Sequence, residues 1–368
     1  MSAFLWHNPV RVVFGTGTLD MLPELVGKRS VLLVTFRSAQ DSGLLARLKS
    51  LLGDRIVEIV DKVPSQPELD FVRALHAQVW AGPAFETVVA VGGGSVIDAG
   101  KALSCRPARD GFDPLLSERC EIATRRPVIA VPTTAGSGSE VTPFATLWNG
   151  PNAKPAKQIL HLPELWPESA LVDPELTLSL PRQRLRNAAL DTLARALEAI
   201  WNRKASPLTD RLAVQAARGV LENLPKVWRY PGNLAARSEL ALAALRAGQC
   251  ACHTRAALAH ALSNAVSAIH GTPHGLACAF SLPWVWRQAQ GNDPERDAVL
   301  TEIFGRAESD PATRLEAFLH QLDVPTDFAA YGLAEEGAQR FAEFFLTTPQ
   351  GRNFIARPSD PAEATAQP

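Results

Sequence analysis

The chain has 368 residues, 46% hydrophobic and 20% charged, with 37 Lys plus Arg against 38 Asp plus Glu. That length calls for two domains or three, the composition is that of a soluble globular protein, and the near-zero net charge excludes the basic excess expected of a nucleic-acid binder. No apolar run approaches the ~20 residues of a membrane span, the opening MSAFLWHNPV carries no export pattern, and Cys105, Cys120, Cys250, Cys252 and Cys278 form no CxxC pair, which points to reduced thiols in a cytoplasmic protein.

In chain order, residues 10–14 (VRVVF) read as a strand closed by Gly15 and Gly17. Residues 30–36 and 55–60 are two more, and a helix carrying Phe71, Leu75 and Val79 follows. Residues 87–91 form a fourth strand that runs into Gly92, Gly93 and Gly94; residues 127–131 and 170–172 are two further strands. Apolar strands alternating with helical stretches predict a parallel sheet covered on both faces. Ligands of such sheets bind at the carboxyl ends of the strands. Glycine-rich turns fall at two of these ends, residues 92–95 and 133–140. After residue 181 the strand signals stop. Stretches rich in Ala, Leu and Arg predict helices over 182–201, 207–227, 234–251, 256–269 and 312–322. The expected fold is an α/β Rossmann-like domain with a parallel sheet over residues 1–180 and an all-α domain over 181–368. A ligand is expected in the cleft between them. The biased tail, 357–368, reads as frayed.

Strand, glycine turn and helix start, in VVAVGGGSVIDAGKA, is the geometry that aims backbone N–H groups and a positive helix end at a phosphate. Ser95 stands where an N-cap belongs. A tight turn with no ligand has the same outline. In the second half, Asp191 on one helix and His260 and His274 from another segment are donors that suit Zn²⁺ or Fe²⁺. Arg195, four residues after Asp191, makes an ordinary ion pair an equal reading.

Together, FGTGTL at 14–19, GGGSVIDAGKA at 92–102, PTTAGSGSEVTPFA at 132–145, LVDPELTLSLP at 171–181, LDTLARALEA at 190–199 and HALSNAVSAIHGTPHG at 260–275 resemble the iron-containing alcohol dehydrogenases. PFATLWN, IWN and FSLPWVW resemble the branch that includes phosphonoacetaldehyde reductases. The resemblance implies an NAD(P)(H)-dependent oxidoreductase interconverting a small carbonyl compound and an alcohol, in a homo-oligomer. It implies that Gly93, Gly94 and Ser95 meet the pyrophosphate and that Asp98, nearby, faces the cofactor. It places Thr133, Thr134, Ser137 and Lys157 along the nucleotide and Leu176 and Leu178 at its adenosine edge. It makes Asp191, His260 and His274 ligands of a divalent metal, Fe or Zn.

This chain departs from the pattern at the fourth ligand position, which holds Arg195, and Asn264 stands where a further histidine would. A guanidinium cannot ligate a cation. Arg195 is instead expected as the electrophile that holds the carbonyl oxygen or an anionic group of the substrate, with Arg255 and Asn264 as substrate contacts and His270 or His274 as the proton donor. Arg37, after the second strand, lacks the acidic character that repels a 2′-phosphate, so NADPH is expected to be tolerated. A metal-independent maleylacetate reductase and a non-catalytic nucleotide-binding protein are the competing expectations.

Overall fold

A computed structural model describes residues 3–150, 157–305, 310–333 and 344–356. Its first half runs β1 (Arg11–Phe14), α1 (Leu22–Val26), β2 (Val31–Val34), α2 (Leu44–Leu52), β3 (Ile56–Val60), α3 (Leu69–Ala81), β4 (Thr87–Gly92), α4 (Gly94–Ser104), β5 (Cys105–Pro107), β6 (Ile122–Arg125), β7 (Val128–Pro132), β8 (Phe144–Trp148), β9 (Lys157–His161) and β10 (Ser169–Val172). Its second half runs α5 (Arg182–Ile200), α6 (Pro207–Arg229), α7 (Leu234–Thr254), α8 (Leu258–His270), α9 (His274–Ala279), α10 (Leu282–Ala289), α11 (Pro294–Phe304) and α12 (Pro311–His320). The tail at 357–368 lies outside the described residues.

Six strands pair in parallel in the order β1-β10-β7-β4-β2-β3. The four inner strands are buried along their whole length, which is why they read as unbroken apolar runs. Alternate residues feed opposite cores. Leu33, Val89, Val91, Ile129 and Val131 meet the leucines of α1 and α2 on one face. Leu32, Val34, Val88, Ala90 and Val128 meet Val79, Ile97 and Leu103 on the other. From β2 the chain steps outward to β3, then crosses to β4, β7 and β10 on the opposite side of β2. The carboxyl ends of β2, β4, β7 and β10 therefore share one edge, with the reversal between β2 and β4, where an open sheet offers its ligand crevice.

Several elements were not legible. The antiparallel pairs β5–β6 and β8–β9 lie in stretches the sequence leaves as loops, and α9, α10 and α11 lie beyond the predicted helices. Ser95 does not cap α4: Gly93 is the cap, and Ser95 lies one residue inside the helix, its Oγ accepting the Gln66 N–H at 3.1 Å. On α3, Phe71 is exposed and Leu75 half-buried, leaving Val79 as the buried one of the three.

The chain divides into two compact units, Leu5–Pro181 with Gly232–Ala241, and Arg182–Pro231 with the chain from Leu242 onward. The first residues of α7 are thus counted with the sheet. There the buried Arg237 donates through Nη1 to the Thr177 carbonyl. The second unit is helical. Its α6 opens on a capping box in which Ser206 Oγ accepts the Thr209 N–H at 3.3 Å and Thr209 Oγ1 accepts the Ser206 N–H at 2.8 Å. Among the described residues no helix is long and apolar enough to cross a membrane. No disulfide joins the five cysteines.

Candidate functional site

In the first unit, the turn after β4 packs directly on the turn after β7. A Cβ at Gly94 would stand 2.5 Å from Ser137 Oγ, and one at Gly93 would stand 3.3 Å from the Thr134 side chain. Any side chain at Gly94 would therefore fill the space where the two turns meet. Thr133 is tied to β4 by its N–H on the Gly92 carbonyl at 2.9 Å. The structure thus brings Gly93, Gly94, Ser95, Thr133, Thr134 and Ser137 together around the start of α4, where the first N–H groups of a helix lack helical partners. That cradle fits a pyrophosphate.

Asp98, on the next turn of α4, faces the second glycine-rich loop. It accepts from Ser139 Oγ and, at 2.9 Å, from the Thr146 N–H. The loop is also held by Lys101, which the sequence does not single out. Fully buried, Lys101 donates at 2.8 Å each to Ser139 Oγ, the Thr142 carbonyl and the Phe144 carbonyl. Burial pushes its pKa down to about 8, against the pull of Asp98 and Glu140.

Asp173 is a second residue that sequence reading missed. Buried at the end of β10, it accepts the N–H groups of Gly17 and Leu19, both at 3.1 Å, and caps the following turn through the Glu175 N–H at 3.0 Å. It thereby joins the FGTGTL and LVDPEL motifs. In that turn Leu176 packs on the core while Leu178 is exposed. Arg37 is exposed in the turn past β2. Lys157 lies on β9 with its ammonium 4.5 Å from the centre of the Trp148 ring.

In the second unit, Asp191, Arg195 and Glu198 recur at helical spacing along α5. Arg195 donates from Nε and Nη2 to a single oxygen, Asp191 Oδ2, both at 3.3 Å. The other oxygen, Oδ1, faces His260 Nε2 at 3.1 Å and His274 Nε2 at 3.9 Å. Glu198 takes both donors of one residue: the His260 backbone N–H at 2.9 Å and the His260 ring nitrogen Nδ1 at 2.6 Å. That bond fixes the ring so that Nε2 points at Asp191. Burial opposes charge on Asp191, yet Arg195 and His260 outweigh it and hold the carboxyl well below the usual carboxylate range. Burial likewise opposes charge on His260, but Cys278, Glu198 and Asp191 raise its pKa well above the ordinary value. Helix α9 delivers His274. Its Gly275 lies against the Asn187 carbonyl of α5 so closely that a Cβ would overlap it.

Asp191, His260, His274 and Cys278 offer ligand atoms that all lie within 4.8 Å of one another. Ligands set ~2.0–2.3 Å from one ion in a tetrahedron are about 3.3–3.8 Å apart. The separations of 3.1 Å (Asp191–His260), 3.9 Å (Asp191–His274) and 3.7 Å (His274 Nε2–Cys278 Sγ) bracket that range. The donors therefore fit a divalent ion, and Arg195 does not stand in its way because it bonds the opposite oxygen of Asp191.

The other expected residues of the helical unit make contacts outside this donor group. Asn264 donates to Gln350 Oε1 at 2.9 Å. Arg255 follows α7 with φ +66°, a strained value for a residue with a side chain, and its carbonyl accepts from Asn202 at 3.3 Å. His270 ends α8, exposed, with its ring against Gly332.

Comparison with known proteins agrees with this architecture. The family described as iron-containing alcohol dehydrogenase matches residues 9–174, and the C-terminal domain family of Fe-containing alcohol dehydrogenases matches residues 187–363. An alcohol dehydrogenase of Thermococcus barophilus is 32% identical over 286 residues, covering 75% of this chain and 73% of that one. A maleylacetate reductase of a Rhizobium strain is 30% identical over 356 residues, covering 95% and 93%. In two other curated relatives the match spans half or less of the relative's own length. Among solved structures, sulfoacetaldehyde reductase from Bifidobacterium kashiwanohense, in complex with NAD⁺, superposes with a TM-score of 0.86 at 27% identity, over 96% of each chain.

Proposed function

Because the chain belongs to the iron-containing alcohol dehydrogenase family, we propose that it is an NAD(P)H-dependent reductase of small carbonyl compounds that carry an anionic group. The observation that carries this reading is Arg195, a guanidinium with only 21% of its side chain exposed, tied to Asp191 through one oxygen beside a set of metal-type donors. A half-buried guanidinium with donors to spare is suited to a carboxylate, sulfonate or phosphonate. Two relatives support it through their names, since sulfoacetaldehyde and maleylacetate are both anionic carbonyl compounds.

Asp191, His260 and His274 would hold a divalent ion, which would polarise the carbonyl oxygen, and a nicotinamide dinucleotide held by the first unit would supply the hydride. In the first unit, Gly93, Gly94, Ser95 and the first N–H groups of α4 hold the pyrophosphate. Thr133, Thr134 and Ser137 wall the nucleotide, and Asp98 keeps the second loop in place. Lys157, Leu176 and Leu178 flank the adenosine, and Arg37 meets a 2′-phosphate. In the second unit, Arg195 orients the anionic group or donates to the oxygen as negative charge grows there. Arg255 and Asn264 assist in holding the substrate, and His270 returns the proton, or His274 where no ion occupies its nitrogen.

The test compares kcat/KM with NADPH for phosphonoacetaldehyde, sulfoacetaldehyde, maleylacetate and propanal. At least one anion is expected to exceed propanal by about tenfold or more, equivalent to ~1.4 kcal/mol, with the advantage lost in Arg195→Leu. Anions turned over no faster than propanal, or an advantage that survives in Arg195→Leu, overturn the reading. Tight NADPH binding with no turnover identifies a non-catalytic binder instead. The match to maleylacetate reductase along 95% of the chain favours one second reading, a metal-independent reductase of that type. Activity on maleylacetate that survives exhaustive chelation selects it.

A further inference from the structure

We propose that Cys278 is the fourth ligand of the ion in the helical unit, bound as a thiolate, and that the site therefore prefers zinc to iron. The inference extends the reading of Asp191, His260 and His274 as metal donors, and it concerns binding alone.

The first argument is geometric. His274 opens α9 and Cys278 lies four residues on, so both side chains share one face of that helix. Cys278 Sγ is 3.7 Å from each ring nitrogen of His274. With a zinc–sulfur distance near 2.3 Å and a zinc–nitrogen distance near 2.1 Å, one tetrahedral ion separates S from N by about 3.6 Å. The close approach of α9 to α5 at Gly275, where nothing larger than hydrogen fits against the Asn187 carbonyl, brings the thiol to this depth.

The second argument is charge. Asp191 and Glu198 contribute two negative charges to a buried cluster, and Arg195 contributes one positive. A divalent ion with a neutral fourth ligand leaves one uncompensated positive charge in the interior, which is costly. A thiolate closes the sum to zero, its proton leaving to solvent as the ion binds. Among the described residues the other buried thiols join no such donor group: Cys105 Sγ meets Ser104 Oγ at the end of α4 and Cys250 bonds to the Thr209 carbonyl, and burial pushes both thiols up.

The third argument is support around the ligands. Glu198 takes the Nδ1 hydrogen of His260 at 2.6 Å, which leaves the Nε2 lone pair on the side of Asp191 and the ion. A carboxylate behind a ligating imidazole orients it and raises its basicity. Softness then decides the metal, since a thiolate beside imidazoles suits zinc better than ferrous iron.

The experiment titrates chelator-stripped protein with Co²⁺, with no dinucleotide and no carbonyl compound present. Wild-type protein is expected to bind one equivalent and to develop the near-ultraviolet charge-transfer band of a cobalt–thiolate bond. Zn²⁺ is expected to abolish the band at one equivalent, and anaerobic Fe²⁺ at the same concentration to leave it. Cys278→Ser is expected to lose the band and to bind cobalt at least about tenfold more weakly, with its metal-free thermal midpoint as the control for folding. Failure to take up cobalt, uptake without the band, or an undiminished band in Cys278→Ser each overturns the assignment. So does displacement by iron, for the metal preference. The wild-type spectrum decides the ligand even if the variant folds poorly. Loss of the cobalt band with NADPH-dependent turnover intact rejects this site alone, and the converse rejects the reductase reading alone.

Discussion

Glu198 accepts two hydrogen bonds from a single histidine 62 residues away, with 1% of its side chain exposed. Replacing it by Gln keeps one acceptor but turns an amide donor toward a second donor, leaving a buried polar group without its partner. Glu198→Gln is expected to lose about 2–4 kcal/mol of stability, measured by urea denaturation. A wild-type midpoint would show that the pair is decorative. The sequence set Asp191, Arg195 and His260 together through the family resemblance; Glu198 was not singled out, because no local pattern announces a contact across 62 residues. Arg37 was legible for the opposite reason, since its position past an apolar strand fixes its place at the sheet edge. Arg37→Glu is expected to cut the NADPH to NADH ratio of kcat/KM by about tenfold, or ~1.4 kcal/mol, and an unchanged ratio would remove Arg37 from cofactor choice.

Helix α4 shows how an element can hold more than its sequence suggests. Its glycine cradle and amphipathic core face were readable, because glycine and β-branched residues have strong local meaning. Lys101 was not, because a helical lysine ordinarily lies in water. Folded, its pKa lies at about 8 against 10.5 for a free lysine. From pH 8 to 10.5 the unfolded chain therefore holds the extra proton, and stability rises with pH over that window by up to ~1.4 kcal/mol per unit. Below pH 8 both states are protonated and the contribution is flat, with the desolvation cost fully present. Unfolding free energies of wild type and Lys101→Met, compared from pH 7 to 10.5, are expected to show this slope only in the wild type. A parallel pair of profiles would refute it. The same variant is expected to bind NADPH more weakly, since the loop of Ser139 and Thr142 loses its anchor.

At the level of the whole molecule, the parallel sheet was the most readable feature, since strands buried on both faces have no polar alternation to obscure them. The hairpins β5–β6 and β8–β9 were obscured by half-buried, mixed-polarity residues such as those of β6 and β9. The change to helices after residue 181 was equally plain. What the sequence could not indicate is that residues 232–241 are counted with the sheet.

That return has a consequence for anyone who would dissect the gene. A fragment ending at residue 181 would lack Arg237, and the Thr177 carbonyl would keep only the Leu180 N–H. Such a fragment is expected to accumulate as inclusion bodies, whereas one that carries residues 232–241 on a short tether should be recovered in the supernatant. Equal soluble yields would mean that the borrowed segment is dispensable. If the expectation holds, the two units are not exchangeable cassettes, and recombination between homologues would succeed only with crossovers that keep 177 and 237 from the same parent.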